Sequence, residues 1–245
     1  MNDGGSMDIF QVSKKGGRLV NEDAVMVIDD QKNVSILVAD GLGGQGLGDV
    51  ASNLAVQAAK DVNDMELDGK EQIALFFKTA QRYLQDEQKR RKMPTKIRTT
   101  AVYFVIRNGY MQWGHIGDSR LYLFRRNHFK TRTIDHSIPQ MLVNMKEIRE
   151  SEIRHHPERN KLLRVLGDKS VEPDYVLSEK VPLKKGQSVL ICTDGFWEDI
   201  EDATIKKLLK QSHNAGEWIE QMELELLKNS NIHEMDNYSA VAVKI

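Results

Sequence analysis

The feature that most limits this chain is the segregation of its two periodicities. Apolar runs rich in β-branched residues come in groups, and runs of helical period come in pairs between them. MDIFQVS, DAVMVID and VSILVAD read as strands, with turn-forming residues from Asp29 to Asn33 predicting a hairpin between the last two. DVASNLAVQAAKDV and EQIALFFKTAQRYLQDEQKR then place apolar residues three and four apart, the mark of helices with one buried face.

Beyond Pro94 the strand pattern returns in TTAVYFVIR, YMQWGHIG and SRLYLFRR, the first two separated by the hairpin dipeptide Asn108-Gly109. From Ile134 to Leu166 the chain is polar and weakly periodic, which predicts an irregular or helical insertion. KGQSVLICTD reads as a buried strand, helices are expected over Ala203–Gln211 and Ala215–Asn229, and YSAVAVKI closes as a strand. Hairpins in place of strand–helix–strand crossovers point to an α+β fold of mostly antiparallel sheets, with helical pairs as outer layers on two stacked sheets. Neither a repeat nor a linker divides residues 1–245, so a single domain is expected.

Composition narrows the function. Hydrophobic residues make up 40% and charged residues 29%, with 5 prolines, as in an ordinary globular chain. A formal net charge of -1 supplies no field to draw in nucleic acid or a membrane. No apolar run approaches the ~20 residues needed to span a bilayer. The sole cysteine, Cys192, excludes an internal disulfide framework and a thiolate zinc cage. It fits a reducing compartment, so a cytoplasmic protein is expected, and separately a monomer. The polar MNDGGS ahead of Met7 lacks the pattern of a signal peptide and is compatible with a cloning remnant.

Chemistry enters through the position of the acids. Asp40 ends an apolar run and precedes Gly41; Asp118 follows WGHIG; Asp194 follows SVLICT. Glu22 and Asp23 open a strand, and Asp236 with Asn237 leads into the last one. One such residue alone is a turn former. Several at the ends of stacked strands would crowd their carboxylates together, and a hard cation relieves that repulsion. Oxygen ligands without a His/Cys set favour magnesium or manganese over zinc. Two such ions lower the pKa of a bridging water and neutralise phosphoryl oxygens. Arg18, four residues before Glu22, offers a planar fork for those oxygens.

These residues resemble the metal-dependent protein serine/threonine phosphatases of the protein phosphatase 2C family. GRLVNEDA, VADGLGGQGLGDVAS, TTAVYF, GHIGDSRLYLF, DHS, HHPERN with LLRVLG, LICTDGFWE and DNYSAVAV follow in the family's order. The resemblance implies a four-layer α-β-β-α sandwich with a dinuclear manganese or magnesium site at one edge of the sheets. It implies Arg18 as the phosphate-binding arginine, with Glu22 and Asp23 as the acidic pair that follows it. Asp40 would bridge both metals, Gly41 would offer its carbonyl, and Asp194 and Asp236 would be later ligands. Asp118, with Asp194, would hold a third, weaker ion of the bacterial members. Residues 135–160 resemble the flap beside the active site. Expected partners are phosphorylated proteins, hydrolysed by a metal-bridging hydroxide without a phosphoenzyme. The chain departs from the pattern at Leu42, where animal members carry histidine, and at Arg98, where the family has glycine. Arg98 is expected to bring bulk and charge close to the core strands. Tyr238 replaces the usual isoleucine or valine, a harmless packing change.

Other readings are weaker. Gly41, Gly43 and Gly46 satisfy G-x-G-x-x-G, but Asp40 would set a carboxylate beside the pyrophosphate of a dinucleotide. Cys192 lacks the arginine loop of a cysteine-nucleophile phosphatase and reads as core. Lys89–Lys92 reads as a solvated helix end, and His155 and His156 as surface residues. A catalytically dead phosphoprotein binder would keep Arg18 and lose metal ligands, yet every acid is present.

Overall fold

The computed structural model describes residues 7–30, 33–43 and 47–245. The MNDGGS segment and Gly46 of the glycine motif lie outside the described residues. The chain begins with β1 (Asp8–Lys14), β2 (Asp23–Asp29) and β3 (Val34–Leu42), followed by α1 (Gly48–Asn63) and α2 (Gly69–Arg91). Next come β4 (Arg98–Thr99), β5 (Ala101–Arg107), β6 (Tyr110–Ile116), β7 (Arg120–Arg125) and β8 (His128–Arg132). The polar stretch holds α3 (Ile138–Asn144) and a 3-10 turn over Glu150–His155. Then follow β9 (Val176–Leu177), β10 (Val181–Pro182), β11 (Gln187–Cys192), α4 (Asp194–Trp197), α5 (Asp202–Gln211), α6 (Ala215–Asn229) and β12 (Tyr238–Lys244).

Two sheets result. One has the order β1-β12-β11-β7-β8; the other runs β10-β6-β5-β3-β2, with β4 added to β3 and β9 to β6. Every strand pairing among the described residues is antiparallel. β3 therefore lies between two antiparallel neighbours, which removes the parallel unit that a dinucleotide-binding reading needs.

Strand alternation builds three apolar layers. Val38, Val102 and Phe104 from one sheet meet Leu121, Ile191 and Val241 from the other between the sheets. On the outer face of the sheet that holds β3 and β5, Leu37, Tyr103 and Val105 pack with Ala55, Phe76 and Phe77 of α1 and α2. On the outer face of the sheet that holds β11 and β12, Leu190, Cys192 and Ala242 pack with Trp218, Ile219 and Met222 of α6. The architecture is a four-layer α-β-β-α sandwich. Both helical pairs need local support at their ends. Asp68 caps α2 in a reciprocal capping box with Glu71, and the Asn214 side chain accepts from the Glu217 amide to open α6.

Two turns decide the topology. Asn108 (φ 53°) and Gly109 (φ 76°) both take the left-handed conformation that a tight two-residue hairpin requires between β5 and β6. Gly117 (φ +97°) carries the chain from β6 in one sheet to β7 in the other. A Cβ there would lie 2.6 Å from Thr100 Cγ2, so this crossing tolerates no side chain. The layer between the sheets joins both halves of the sandwich. Ile191, fully buried within it, should cost about 2–5 kcal/mol when cut to alanine; urea unfolding with an unchanged slope would measure that loss.

Candidate active site

The layer between the sheets changes character at one end. Val25, Val38 and Val102 lie side by side across β2, β3 and β5. Two residues further, on the same face, the register sets Asp23 beside Asp40. Asp23 is buried, and its Oδ2 accepts from Thr193 Oγ1 (2.9 Å) across the gap between the sheets. Its Oδ1 has no hydrogen-bond partner.

The backbone of Asp40 is clamped. Its amide donates to Thr100 Oγ1 (3.0 Å), and its carbonyl accepts from Thr99 Oγ1 (2.8 Å) and the Thr100 amide (2.9 Å). Thr100 Oγ1 also bonds Ser119 Oγ (2.7 Å), tying Asp40 to the Gly117–Ser119 crossing. Asp118 sits in that crossing. Its carbonyl accepts from Trp197 Nε1 (3.0 Å), while its carboxylate Oδ1 is buried without a partner. The Trp197 ring carries the Arg120 guanidinium 3.3 Å from its centroid, and Arg120 is held in turn by Asp135 (2.6 Å). Asp194 leaves the end of β11 and opens α4, its Oδ1 accepting from the Gly195 amide (2.7 Å).

Asp40, Asp118 and Asp194 each offer an oxygen within 4.8 Å of the other two. Asp236 and Arg18 border the same cleft, Arg18 Nη2 donating to Asp236 Oδ2 (2.9 Å). Glu22 also lines it, with Oε1 accepting from the Gly48 amide (3.2 Å) at the start of α1. Asp23 does not line the cleft; it stands behind the other acids. Gly41 packs against the backbone of Gly48 so closely that a Cβ would lie 1.9 Å from the Gly48 carbonyl oxygen. The cleft measures about 650 Å³.

Three important residues escaped the sequence reading. Asn237 accepts from the Glu22 amide (2.7 Å) and donates to the carbonyls of Lys15 (2.8 Å) and Val20 (2.9 Å), pinning the Arg18 loop to the last strand. Read as a turn former, its place beside Asp236 was the available signal. Thr193 and Gly48 carry no local mark, because their roles come from contacts with Asp23 and Gly41 made only in the fold. Arg98, expected to bring bulk and charge close to the core strands, pairs with Leu42 of β3, and its side chain is exposed. Tyr238 is buried, and its hydroxyl donates to Glu223 Oε1 (2.8 Å).

Burial and mutual repulsion raise the acids together. Burial first, then Asp194, Asp23 and Asp118, hold Asp40 well above the usual carboxylate range. Burial followed by Asp194 and Asp135 does the same for Asp118. Burial and then Asp194 push Asp23 to about 7, and burial and then Asp236 push Asp194 to about 6. Two full charges about 4.8 Å apart repel by roughly 3 kcal/mol at an effective dielectric of ~20. Three carboxylates, one with an orphaned oxygen, grouped with no histidine or cysteine in the set among the described residues, fit a hard divalent cation.

A sandwich of two antiparallel sheets whose open edge joins an arginine to a cluster of carboxylates defines a phosphatase of the α-β-β-α class. The family model described as Protein phosphatase 2C matches residues 12–229, and the chain belongs to that family. It is 30% identical over 220 residues to the Serine/threonine phosphatase stp of Listeria welshimeri, covering 85% of this chain and 84% of that one. The crystal structure of the serine/threonine phosphatase PstP/Ppp of Mycobacterium tuberculosis superposes with a TM-score of 0.84 at 26% identity, over 98% of both chains. The fold is shared with a PstP catalytic domain described in complex with 2 manganese ions, at a TM-score of 0.81 and 24% identity over 98% of this chain and 99% of that one. The chain is a protein serine/threonine phosphatase of the 2C type.

The raised acids set a stability test. Asp23 at about 7 and Asp194 at about 6 stand above their ordinary 3.8, so folding favours their protonated forms. That contribution is complete below pH ~4 and lost as pH rises through the folded values. In chelator the melting temperature should therefore fall between pH ~5 and ~8, by a few kcal/mol of stability. Saturating manganese should flatten the slope; a slope indifferent to the ion would contradict the cluster.

Proposed function

We propose that this chain hydrolyses phosphoserine and phosphothreonine on proteins by direct attack of water, without a phosphoenzyme, in the cytoplasm. The observation that carries the reading is the Asp40–Asp118–Asp194 trio within 4.8 Å, beside Arg18. Among the described residues lining the cleft there is no serine, threonine, cysteine or histidine to act as a nucleophile. Cys192 is buried in the core, and burial raises its thiol pKa. Water is the remaining attacking group.

Asp40, Asp194, Asp236, Glu22 and the Gly41 carbonyl would hold two manganese or magnesium ions, with a third at Asp118 and Asp194. When bound, such ions make water a competent nucleophile near neutral pH and neutralise charge on the phosphoryl group. Asp23 supports the set from behind, anchored by Thr193. Arg18 keeps one nitrogen on Asp236, which aims the guanidinium across the cleft and leaves its other donors for phosphoryl oxygens. Leu42 lines the cleft where a side-chain acid would stand, so protonation of the leaving alkoxide falls to water. Residues 135–160 act as the flap, with Asn160 and Leu162 facing the site from its end. No helix among the described residues is long and apolar enough to cross a membrane. The lone buried thiol supports the reducing compartment.

Activity on a phosphothreonine peptide should vanish in chelator and return with manganese. Asp40→Asn and Asp194→Asn should each lower kcat by more than about 100-fold. Arg18→Ala should raise KM about ten- to hundredfold, with a smaller effect on kcat. Turnover that ignores chelator would overturn the proposal.

A further inference from the structure

Arg98, paired across the sheet with the cleft-lining Leu42, is a cation that the reaction above does not use. Val38 lies opposite Val102, and Leu42 lies opposite Arg98. Four steps forward along β3 match four steps back along its partner, so no bulge intervenes and alternation is preserved. Val38 and Val102 face the space between the sheets. Arg98 therefore shares that face with Asp40 and Leu42, at the end where the layer opens. Its backbone is fixed, since a Cβ on Gly167 would lie 3.2 Å from Arg98 Cα, while its side chain is exposed.

Among the described residues, the Arg98 guanidinium has no hydrogen-bond or ion-pair acceptor. The arginines of neighbouring loops are held: Arg18 by Asp236, Arg159 by Glu198 and Arg164 by Asp174. Lys96, two residues before Arg98, is exposed too. An unheld guanidinium on the strand beside a cleft-lining residue attracts anions, and its strand position sets the distance. Thr100, whose amide donates to the Asp40 carbonyl, is two residues from Arg98, or about 7 Å along the strand. An extended peptide advances about 3.3 Å per residue. A group two or three positions from the phosphoresidue comes level with Arg98.

We propose that Arg98 is a specificity-determining residue, selecting phosphorylated segments with an anionic side chain two or three positions from the phosphoresidue. This rests on the phosphatase reading above and adds a substrate class to it. The anion is a carboxylate or a second phosphate, which share this chemistry. Arg98 binds substrate at a distance from the reacting atoms, so its effect belongs in KM.

The test uses the full chain with manganese and phosphothreonine peptides identical except at those flanking positions, which carry Glu, Gln, Lys or phosphoserine in the form of its non-hydrolysable phosphonate. An exposed charge pair contributes up to about a fivefold preference. The Glu peptide should exceed the Gln peptide in kcat/KM by about three- to fivefold at low salt, through KM, with the gap narrowing as salt screens it. Arg98→Gln should bring that ratio to about one, Arg98→Lys should retain it, and Arg98→Glu should invert it in favour of the Lys peptide. A larger gain for phosphoserine than for Glu would assign the anion to a second phosphate. Equal KM values for Glu, Gln and phosphoserine peptides in the unmodified chain would overturn the inference while leaving the phosphatase reading intact. So would a preference that survives Arg98→Glu. Failure to turn over any of the peptides would remove both.

Discussion

The whole site depends on the alignment of β2, β3 and β5, in which rows of valine give way to a row of carboxylates without a change of register. The Val25–Val38–Val102 row closes the space between the sheets, and the next row on that face begins with Asp23 and Asp40. Apolar burial holds the strands in line, so the acids are brought together by a force that acts elsewhere. Their repulsion is carried by the sandwich. A slip of one residue would turn every valine outward and scatter the acids with them.

Around that row the protein uses backbone contacts where side chains would leave no room. Gly41 against Gly48, and Gly195 against the Asn237 carbonyl, bring separate segments of backbone within van der Waals reach. Asn237 completes the arrangement by joining the Arg18 loop to the start of β12 with three hydrogen bonds. The clustered acids are thus few, but the framework that aims them extends through Thr99, Thr100, Thr193 and Ser119.

Much of this was legible in the sequence because period and turn chemistry are local. The strands DAVMVID and VSILVAD, the Asn108-Gly109 hairpin, and α6 from Ala215 to Asn229 all lie where alternation, turn residues and helical spacing set them. β8 was missed because HFKTR is polar and mostly exposed, and its turn is built from Arg126 and Asn127, both at positive φ without glycine. β4, β9 and β10 have two residues each, too few to show a period. The recurrence of acids at strand ends was visible, yet nothing local distinguished Asp23, which stands behind the cleft, from Asp40, which lines it. That difference arises when the second sheet closes over the first. The exposure of Arg98 was hidden for the same reason, since its neighbours across the sheet come from β3.

The strand order has a consequence for how the molecule is made. β12 is the last element in chain order, yet it lies inside its sheet, between β1, the first element, and β11. Until it leaves the ribosome, β1 has no ladder to join and Asp236 is not yet in place. A nascent or truncated chain without β12 therefore lacks the seam of the sandwich and a wall of the cleft together.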